Sequence, residues 1–386
     1  MQFELGALRR HPDIEGPGLE ASDAADRLIL DEAAPFAAEV AADELVVLDD
    51  AYGALALGSA ATRGRGIRVH QDLITGERAL EANAERLHLA GAVRSMPLGA
   101  EVLRDARLVL LRLPRSLDRL DELAGLIARH AASDVTVVAG GRIKHMSLAM
   151  NDVLARWFAR VDVSHARQKS RVLIARAPGR HARPTSSGAT RPPGATTWPR
   201  RQRHDDLGLT VVAHGGVFAG TGIDVGTRFL LEHLHDAVPD AATAVDLACG
   251  SGVVAAWLAR ERPALRVTAT DRSAAAAASA RRTMEANGVA DRAHVTQADG
   301  LELLADSSEE LIVLNPPFHS GAALHTGIAR HLFAEAGRVL APGGELWCVW
   351  NSPLRYRPLL ERLVGPTRQV ARNAKFTVTA SNHRVA

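Results

Sequence analysis

Short, fully apolar runs alternate with longer amphipathic stretches along most of this chain. Leu45 to Leu48 and Leu311 to Leu314 are apolar at every position, as expected for short buried strands. Val253 to Arg260 and Ala274 to Ala286 mix apolar and polar residues over longer spans and predict helices. This alternation of strands and helices indicates an α/β fold.

One strand in the second half leads into a loop of small residues. The run that begins at Ala244 continues as Asp246-Leu-Ala248-Cys-Gly250-Ser-Gly252, and a helix follows. Small residues there allow backbone N–H groups and a helix N-terminus to approach a ligand closely. A glycine loop alone is weak evidence, because dehydrogenases also have one. Their G-x-G-x-x-G spacing is missing from this loop, and an acid precedes it instead.

Two more acids follow predicted strands. Val267 to Thr270 leads to Asp271, which can accept hydrogen bonds from both hydroxyls of a ribose. The strand Ala293 to Thr296 is followed by Asp299 and Gly300, and an acid there can accept from an adenine amino group. Each acid taken alone also fits a helix N-cap or a turn.

The most informative segment is Asn315-Pro316-Pro317-Phe318, which directly follows the apolar run that ends at Leu314. The side-chain oxygen of Asn315 and the carbonyl of Pro316 are two acceptors, and an exocyclic NH2 group has two donors. The prolines pre-set the backbone, and Phe318 offers a ring on which a base can stack. A plain proline turn that closes a strand is the alternative interpretation.

In this order, the segments resemble class I S-adenosylmethionine-dependent methyltransferases. Asn-Pro-Pro followed by an aromatic residue marks the branch that methylates planar exocyclic or amide nitrogens. Gly216 to Ala219, Gly222 to Arg228 and Ala341 to Asn351 narrow the resemblance to tandem-domain bacterial ribosomal RNA guanine-N2 methyltransferases. One departure is Ala248, where that family usually has Gly. Alanine adds a single methyl group and occurs in active methyltransferases.

The resemblance implies two tandem Rossmann-like class I methyltransferase domains with seven-stranded, mostly parallel sheets, the first of them degenerate. It implies S-adenosylmethionine as the cofactor and N2 of a guanine in ribosomal RNA as the acceptor. Leu113 to Leu117, Val138 to Lys144 and Ala166 to Arg171 favour 23S over 16S RNA. The implied site residues are catalytic Asn315, Pro316 and Phe318; cofactor-binding Asp246, Ala248, Gly250, Gly252, Asp271, Asp299 and Gly300; and substrate-binding Pro317, Asn351 and Tyr356. For the last two, capping or packing is the alternative role.

The first half repeats the pattern of the second with altered chemistry. Leu55 stands in place of a loop glycine, and its side chain would fill the space that a cofactor needs to contact the backbone. Arg112 stands in place of the asparagine, and its side chain has no hydrogen-bond acceptor. Duplication followed by loss of activity explains this pattern, and two unrelated α/β domains are the alternative. The sequence suggests pairing Asp49 with Asp246, Gly53 with Gly250, Leu55 with Gly252, Asp72 with Asp271, Asn83 with Asn287 and Arg112 with Asn315.

A degenerate domain that persists is expected to serve binding. Basic residues lie at its predicted strand ends and adjoining loops, where they could form one surface for RNA phosphates. Lys144 and Lys169 are the candidate substrate-binding pair, and ordinary solvated faces are the alternative. The full set is Arg112, Arg115, Arg142, Lys144, His145, Arg167, Lys169 and Arg171.

Composition narrows the classes of function. The 386 residues carry a formal net charge of +2 and 47% hydrophobic residues, which suits more than one buried core. This near-neutral charge argues against a strongly basic coat, so RNA binding has to come from local patches. Cys249 and Cys348 have neither zinc nor disulfide spacing, which predicts no metal and a reducing cytoplasm. We also expect no membrane span, no signal peptide and a monomer, although the oligomeric state is not readable from the pattern.

A composition shift divides the chain. From Ala177 to Arg203 it is rich in Pro, Gly, Ser, Thr and Arg and poor in apolar residues, which predicts a linker. We therefore expect a degenerate domain at 1–176, a linker at 177–204 and a catalytic domain at 205–386. The linker arginines either touch phosphates or only keep the linker soluble. Trp198 is a candidate anchor for its far end.

Three competing functions remain open. Protein-glutamine N5 methyltransferases also use Asn-Pro-Pro with an aromatic residue, usually Tyr, but carry a small helical front domain. Phe318 and the repeated first half argue against that class, and DNA adenine-N6 methylation is similarly disfavoured. A non-catalytic RNA-binding protein would be expected to have a damaged cofactor loop, whereas the loop of the second half is intact apart from Ala248.

Overall fold

The computed structural model describes residues 3–179, 197–317 and 322–383, with the backbone alone for 322–326. These form two compact units, Met1–Trp198 and Pro199–Ala386. Both ends of the segment 177–204 lie in strands, which end at Pro178 and begin at Arg200. Trp198 Nε1 donates to Asp121 Oδ2 at 3.1 Å within the first unit, as expected of an anchor.

The first unit is a seven-stranded sheet with helices, in the strand order β3-β2-β1-β4-β5-β7-β6. All its strand pairs are parallel except those of β7. The elements are α1 (Ala24–Ala37), β1 (Leu45–Leu48), α2 (Ala54–Arg63), β2 (Ile67–His70), α3 (Ile74–Arg86), β3 (Val93–Ser95), α4 (Ala100–Leu103), β4 (Leu108–Arg112), α5 (Leu117–His130), β5 (Thr136–Arg142), α6 (Ala149–Trp157), β6 (Phe158–Val163) and β7 (Ser170–Pro178).

The second unit repeats this topology in the order β12-β11-β10-β13-β14-β16-β15, and a two-stranded sheet, β8-β9, precedes it. The two sheets confirm the predicted fold class. The elements are β8 (Arg200–His204), β9 (Leu209–Ala213), α7 (Val225–Leu231), β10 (Thr243–Leu247), α8 (Val253–Glu261), β11 (Arg266–Asp271), α9 (Ala274–Ala286), β12 (Ala293–Gln297), β13 (Glu309–Leu314), α10 (Ala322–Val339), β14 (Leu340–Asn351), α11 (Arg357–Leu363), β15 (Thr367–Arg372) and β16 (Phe376–Asn382).

The apolar runs form central strands because both faces of each sheet are covered. Leu45 and Val47 pack into a core with α1, α2 and α3, while Val46 and Leu48 pack into another with α4, α5 and α6. Each such buried side chain contributes roughly 1.5–3 kcal/mol. The predicted helix Ala274–Ala286 is observed with the same bounds, and the Ser273 hydroxyl caps it. No helix within the described ranges is long and apolar enough to cross a membrane.

The sheet register tests the alignment between the halves. Leu48 and Leu111 are neighbours in the first sheet, as Leu247 and Leu314 are in the second. Arg112 follows Leu111 and Asn315 follows Leu314, so these two residues correspond. This confirms the predicted pairing of Arg112 with Asn315.

The predicted pairing of the loops after β1 and β10 is wrong. Gly53 is the N-cap of α2 with φ 98°, and Gly252 is the N-cap of α8 with φ 76°, so these two glycines correspond. Leu55 does not replace the glycine but lies buried in α2. Asp49 and Ala248 correspond, with φ of 56° and 57°. The prediction paired Asp49 with Asp246, which shifted the alignment of the two loops by two residues. In the structure, the position that both loops share is the glycine at the start of the helix.

The pairing of Asp72 with Asp271 is also wrong. His70 lies beside Leu48 as Thr270 lies beside Leu247, so the residues after His70 and Thr270 correspond. The residue of the first unit that corresponds to Asp271 is therefore Gln71, which directly follows His70.

By position in helices of 13 residues, Asn83 corresponds to Thr283. The predicted partner Asn287 nevertheless makes the same kind of contact as Asn83, because it accepts from the N–H of Thr210 at 2.9 Å and donates to its carbonyl at 2.7 Å. The Asn83 side chain accepts from the backbone N–H of Arg9 at 3.0 Å and donates to its carbonyl at 2.8 Å. The Thr283 hydroxyl does the same with Val212, at 3.0 and 3.2 Å. Each unit thus ties a helix to its own preceding segment through the same position.

Candidate active site

The candidate site lies at the carboxyl ends of β10 and β13. These strands are neighbours in the second sheet, and Leu247 lies beside Leu314. Strand order reverses between them, because the chain moves outward to β12 on one side and to β14 on the other. Ligands of such sheets bind in the crevice that this reversal opens. The loop that starts at Ala248 and the segment that starts at Asn315 leave these two neighbouring strand ends.

The loop after β10 forms an open cradle. Ala248, Gly250 and Gly252 have φ of 57°, 55° and 76°, in the left-handed region. The Gly250 N–H donates to Asp271 Oδ2 at 2.9 Å, which joins the loop to the end of β11. A Cβ built on Gly250 would meet no atom of the described structure within 4 Å. This open space fits the close approach of a cofactor.

Gly252 has a different reason to be glycine. A Cβ there would lie 2.8 Å from both Ala280 Cβ and Met284 Cε. The absence of a side chain therefore lets the start of α8 pack against α9. Gly252 faces the protein interior in this packing, whereas the missing Cβ of Gly250 leaves open space.

Asp246 lies inside β10 and is 3% exposed. Its Oδ2 accepts from the backbone N–H of Ala255 at 2.9 Å, in the first turn of α8. Burial raises the pKa of Asp246 to about 7, and the nearby Asp271 carboxylate adds to the rise. The acid thus stands beneath the loop and ties it to α8.

Asp271 and Asp299 stand at neighbouring strand ends. Asp271 Oδ1 accepts from the Ser273 N–H at 2.9 Å. Asp299 Oδ1 lies 3.3 Å from Nε2 of His331, and this carboxylate raises the pKa of His331. Gly300 has φ 65°, and a Cβ there would lie 3.1 Å from His331 Nε2. The two acids thus lie at the carboxyl ends of β11 and β12, and each has a partner within its own unit.

Two contacts hold the Asn315 side chain in one orientation. Nδ2 donates to Asp224 Oδ2 at 3.2 Å and to Thr227 Oγ1 at 3.0 Å. Because a carboxylate only accepts, the atom beside Asp224 is the NH2 group and the opposite atom is the carbonyl oxygen. That oxygen, Oδ1, is buried and has no hydrogen-bond partner within the part of the chain that the structure describes. Such an acceptor costs about 1–3 kcal/mol unless a ligand donates to it.

The remaining predicted residues lie in different environments. Pro316 is buried and Pro317 is exposed, while Phe318 lies outside the described residues. Asn351 is the last residue of β14 and is half-buried. Tyr356 is 7% exposed and packs edge-on against Phe333, with ring centroids 5.4 Å apart.

In the first unit the same edge carries ion pairs. Arg112 donates to Asp23 Oδ2 at 2.8 Å and to Asp26. Arg119 is 5% exposed, donates to Asp49 Oδ1 at 2.9 Å and lies 3.3 Å from His70 Nε2. Burial and the Arg119 charge lower the pKa of His70. These buried ionic groups, rather than Leu55, distinguish this edge from the open cradle of the second unit.

A cleft of about 540 Å³ opens beside these ion pairs in the first unit. Arg115, Arg142 and Lys144 line it and have no carboxylate partner within the described ranges. Burial lowers the pKa of His145 in the same cleft, and the charges of Arg115, Lys144 and Arg142 add to this. Lys169 is exposed, and its carbonyl accepts from the N–H of Ile143 at 2.9 Å. The cleft therefore carries an excess of positive charge.

Two members of the predicted basic surface are already paired. Arg112 is held by the two aspartates of its own unit, and Arg167 by Asp31. Sequence patterns count such arginines as available cations because their partners lie far away in the chain.

Sequence reasoning also missed two residues of the site. Asp224 and Thr227 are separated from Asn315 by 91 and 88 positions. The available signal was their position in the segment Gly222 to Arg228, which carries part of the family resemblance. Their contact with the asparagine had no local signature.

Comparison with known proteins places this architecture. Residues 208–380 match the family described as the methyltransferase small domain, and residues 1–179 match the RLMG N-terminal domain. The chain is 35% identical to the ribosomal RNA large subunit methyltransferase G of Pseudomonas aeruginosa (strain UCBPP-PA14), over 96% of both chains. The chain therefore belongs to the ribosomal RNA large subunit methyltransferase G family.

Membership of this family confirms the predicted resemblance and its large-subunit branch. The methyltransferase G protein of Streptomyces avermitilis is 34% identical, over 96% of this chain and 95% of its own. The fold is also that of the T. thermophilus 16S rRNA N2 G1207 methyltransferase RsmC, solved with AdoMet and guanosine. That match has a TM-score of 0.75 and 21% identity, and covers 96% of this chain and 97% of the other.

Proposed function

We propose that this protein transfers a methyl group from S-adenosylmethionine to N2 of a guanine in 23S ribosomal RNA. The observation that carries the proposal is the buried Oδ1 of Asn315, which has no hydrogen-bond partner among the residues that the structure describes. An exocyclic NH2 group is a donor that suits this acceptor, and the Pro316 carbonyl is a second acceptor beside it. The relatives at 33–35% identity are named as large-subunit ribosomal RNA methyltransferases.

The second unit offers the residues to hold the cofactor. The open space at Gly250 fits its close approach, and the Asp271 carboxylate, which joins this loop to β11, is the candidate acceptor for the ribose hydroxyls. Asp299 is the candidate for the adenine amino group. When bound, S-adenosylmethionine supplies an electrophilic methyl group on a sulfur that leaves as a neutral thioether.

The chain's own task is to make a poor nucleophile react. The lone pair of guanine N2 is delocalised into the ring, so the amine is weakly nucleophilic. Acceptance of its two N–H bonds by Asn315 Oδ1 and the Pro316 carbonyl would favour a pyramidal nitrogen, whose lone pair is then available to react. A nitrogen that takes the methyl group as the carbon–sulfur bond breaks would become positive and then lose one proton to water. Both hydrogen bonds strengthen as this charge develops, so they stabilise the transition state.

We further propose that the first unit contributes RNA binding. The cations Arg115, Arg142 and Lys144, which have no carboxylate partner among the described residues, line its cleft, and Lys169 lies on the neighbouring turn. Cations of this kind fix the position of a phosphate backbone without reading its sequence. The division of labour is then methyl transfer in the second unit and RNA positioning in the first.

Mass mapping of methylated nucleotides tests the function. We expect 23S RNA from cells without the gene to lack one N2-methylguanine that is present in the parent, and the purified protein to restore it in vitro. An identical map in the two strains would contradict the assignment. A methyl group found on a protein glutamine or on DNA adenine would support one of the competing classes instead.

A further inference from the structure

We propose that Asp224 and Thr227 are positioning residues that make Asn315 an acceptor. This inference rests on the proposed methyl transfer and adds two residues to its machinery. The three side chains come from two places, since Asp224 and Thr227 belong to the start of α7 and Asn315 follows β13. Neither residue is expected to touch the reacting nitrogen; both act through the amide of Asn315.

Asparagine needs such help because its two ends are nearly the same shape. A side-chain amide can turn over and present NH2 instead of oxygen, and a donor facing the NH2 of guanine would repel it. The Asp224 carboxylate accepts one N–H at 3.2 Å, and the Thr227 hydroxyl accepts the other at 3.0 Å. With both N–H groups engaged, only the oxygen faces away. The turned-over amide would place its oxygen against the carboxylate.

The carboxylate is itself fixed in place. Asp224 is the N-cap of α7, and its Oδ2 accepts from the backbone N–H of Gly226 at 2.9 Å and of Thr227 at 3.3 Å. A Cβ on Gly226 would lie 2.9 Å from that oxygen and 3.0 Å from the Phe376 ring, so only glycine allows this approach. One oxygen atom therefore serves both the helix N-terminus and the asparagine.

The charge on Asp224 also affects the strength of the acceptor. A carboxylate that accepts from one side of an amide polarises it and increases the negative charge on the amide oxygen. A more negative Oδ1 binds more strongly to an N–H whose nitrogen is becoming positive. Asp224 and Thr227 should therefore affect turnover more than cofactor binding.

The first unit contains the same three positions with different chemistry. Asp23 is the N-cap of α1, and Asp26 follows it at the spacing of Asp224 and Thr227. Both aspartates accept hydrogen bonds from Arg112, the counterpart of Asn315. The same three positions are hydrogen-bonded to one another in both units. In the first unit, however, an aspartate stands at the position of the threonine, and a guanidinium stands at the position of the amide. The two carboxylates pair with a guanidinium, which has five donors and no acceptor of its own.

The test compares conservative variants of the full chain. Asp224→Asn keeps a good N-cap but removes the charge. Thr227→Val removes the hydroxyl at nearly constant shape, and Thr227→Ser is the control that keeps the hydroxyl. The substrate is 23S RNA isolated from cells without the gene, with labelled S-adenosylmethionine. We expect kcat to fall about tenfold in Asp224→Asn and in Thr227→Val, with S-adenosylmethionine Kd unchanged and Thr227→Ser near wild type.

Combination with Asn315→Ala separates positioning from general damage. If the two residues act through the amide, then adding Asp224→Asn or Thr227→Val to Asn315→Ala should lower kcat little further. Full additivity, or wild-type kcat in both single variants while Asn315→Ala is impaired, would overturn the positioning role alone. An Asn315→Ala variant with normal turnover would instead overturn the proposed acceptor function.

Discussion

At the residue scale, the site is a set of atoms whose environments decide their roles. Gly250 and Gly252 belong to one sequence motif and share a left-handed backbone, yet a side chain would meet open space at the first and two packed side chains at the second. Asparagine is common at turns, but the Oδ1 of Asn315 is buried and has no partner among the described residues, which makes it a candidate acceptor. The environment of each residue, rather than its type, thus indicates its role.

The two loop glycines form a matched pair. Gly250→Ala should weaken S-adenosylmethionine binding, because the new methyl group points into the cradle, and should lower stability only by the strain of its left-handed backbone, about 1 kcal/mol. Gly252→Ala should destabilise the second unit by about 1–3 kcal/mol, since its Cβ overlaps α9. Calorimetric titration and thermal unfolding measure the two effects. Equal losses of affinity and stability in both variants would contradict this division.

Loss of the candidate acceptor should affect chemistry alone. Asn315→Ala should lower kcat at least ~100-fold, the scale of one transition-state hydrogen bond, with S-adenosylmethionine affinity nearly unchanged. The measurement is single-turnover methylation of 23S RNA beside a binding titration. Near-normal turnover would refute the role.

At the element scale, the carboxyl edges of the strands carry the candidate chemistry and the helix starts support it. Asp246 lies in β10 but hydrogen-bonds the first turn of α8, so strand, loop and helix form one unit. Asp224 performs a comparable task at the start of α7. Because burial raises the pKa of such a carboxylate, the stability of the structure around it depends on pH.

Asp246 should make the second unit less stable as pH rises. Its folded pKa, about 7, is higher than the unfolded value of 3.8, so the folded protein binds the extra proton. The contribution is fully present below pH 4 and is lost as pH rises through about 7. The neutral variant Asp246→Asn should lack this loss and gain stability relative to wild type between pH 5 and pH 8. Denaturant unfolding at both pH values measures it, and a pH-independent difference would argue against the buried proton.

At the scale of the whole molecule, one architecture occurs twice with different edges. The strand orders of the two sheets are the same, and the N-cap aspartates of α1 and α7 both accept from the residue that follows the apolar run of the neighbouring central strand. The second edge presents an acceptor, while the first holds an arginine in ion pairs next to a basic cleft. Duplication followed by divergence explains this distribution.

The basic cleft should contribute to RNA binding through charge. Replacement of Lys144 and Lys169 by Glu should weaken 23S RNA binding and reduce the salt dependence of log Kd by about two, one for each lost phosphate contact. S-adenosylmethionine binding should not change. The matched control is the exposed pair Arg94 and Arg104, reversed in the same way, with equal net charge. Equal effects of the two reversals would show that only overall charge matters.

The sequence by itself determined the local features. Fully apolar runs predicted the central strands, such as Leu45–Leu48, because both faces of these sheets are covered. The motifs at Asp246 and Asn315 identified the class of enzyme, because their chemistry depends on neighbouring residues. Alignment of the two halves succeeded at Arg112, where the flanking strands match, and failed at Leu55, where pairing acids overrode the glycine at the helix start.

Only the tertiary structure decided how the polar groups are paired. Asp224 and Asn315 are 91 positions apart, and Asp23 and Arg112 are 89 apart, so no local pattern joins them. Their contacts arise because the sheet topology brings the first helix of each unit to the end of its central strands. That pairing orients an amide oxygen in one unit and neutralises an arginine in the other.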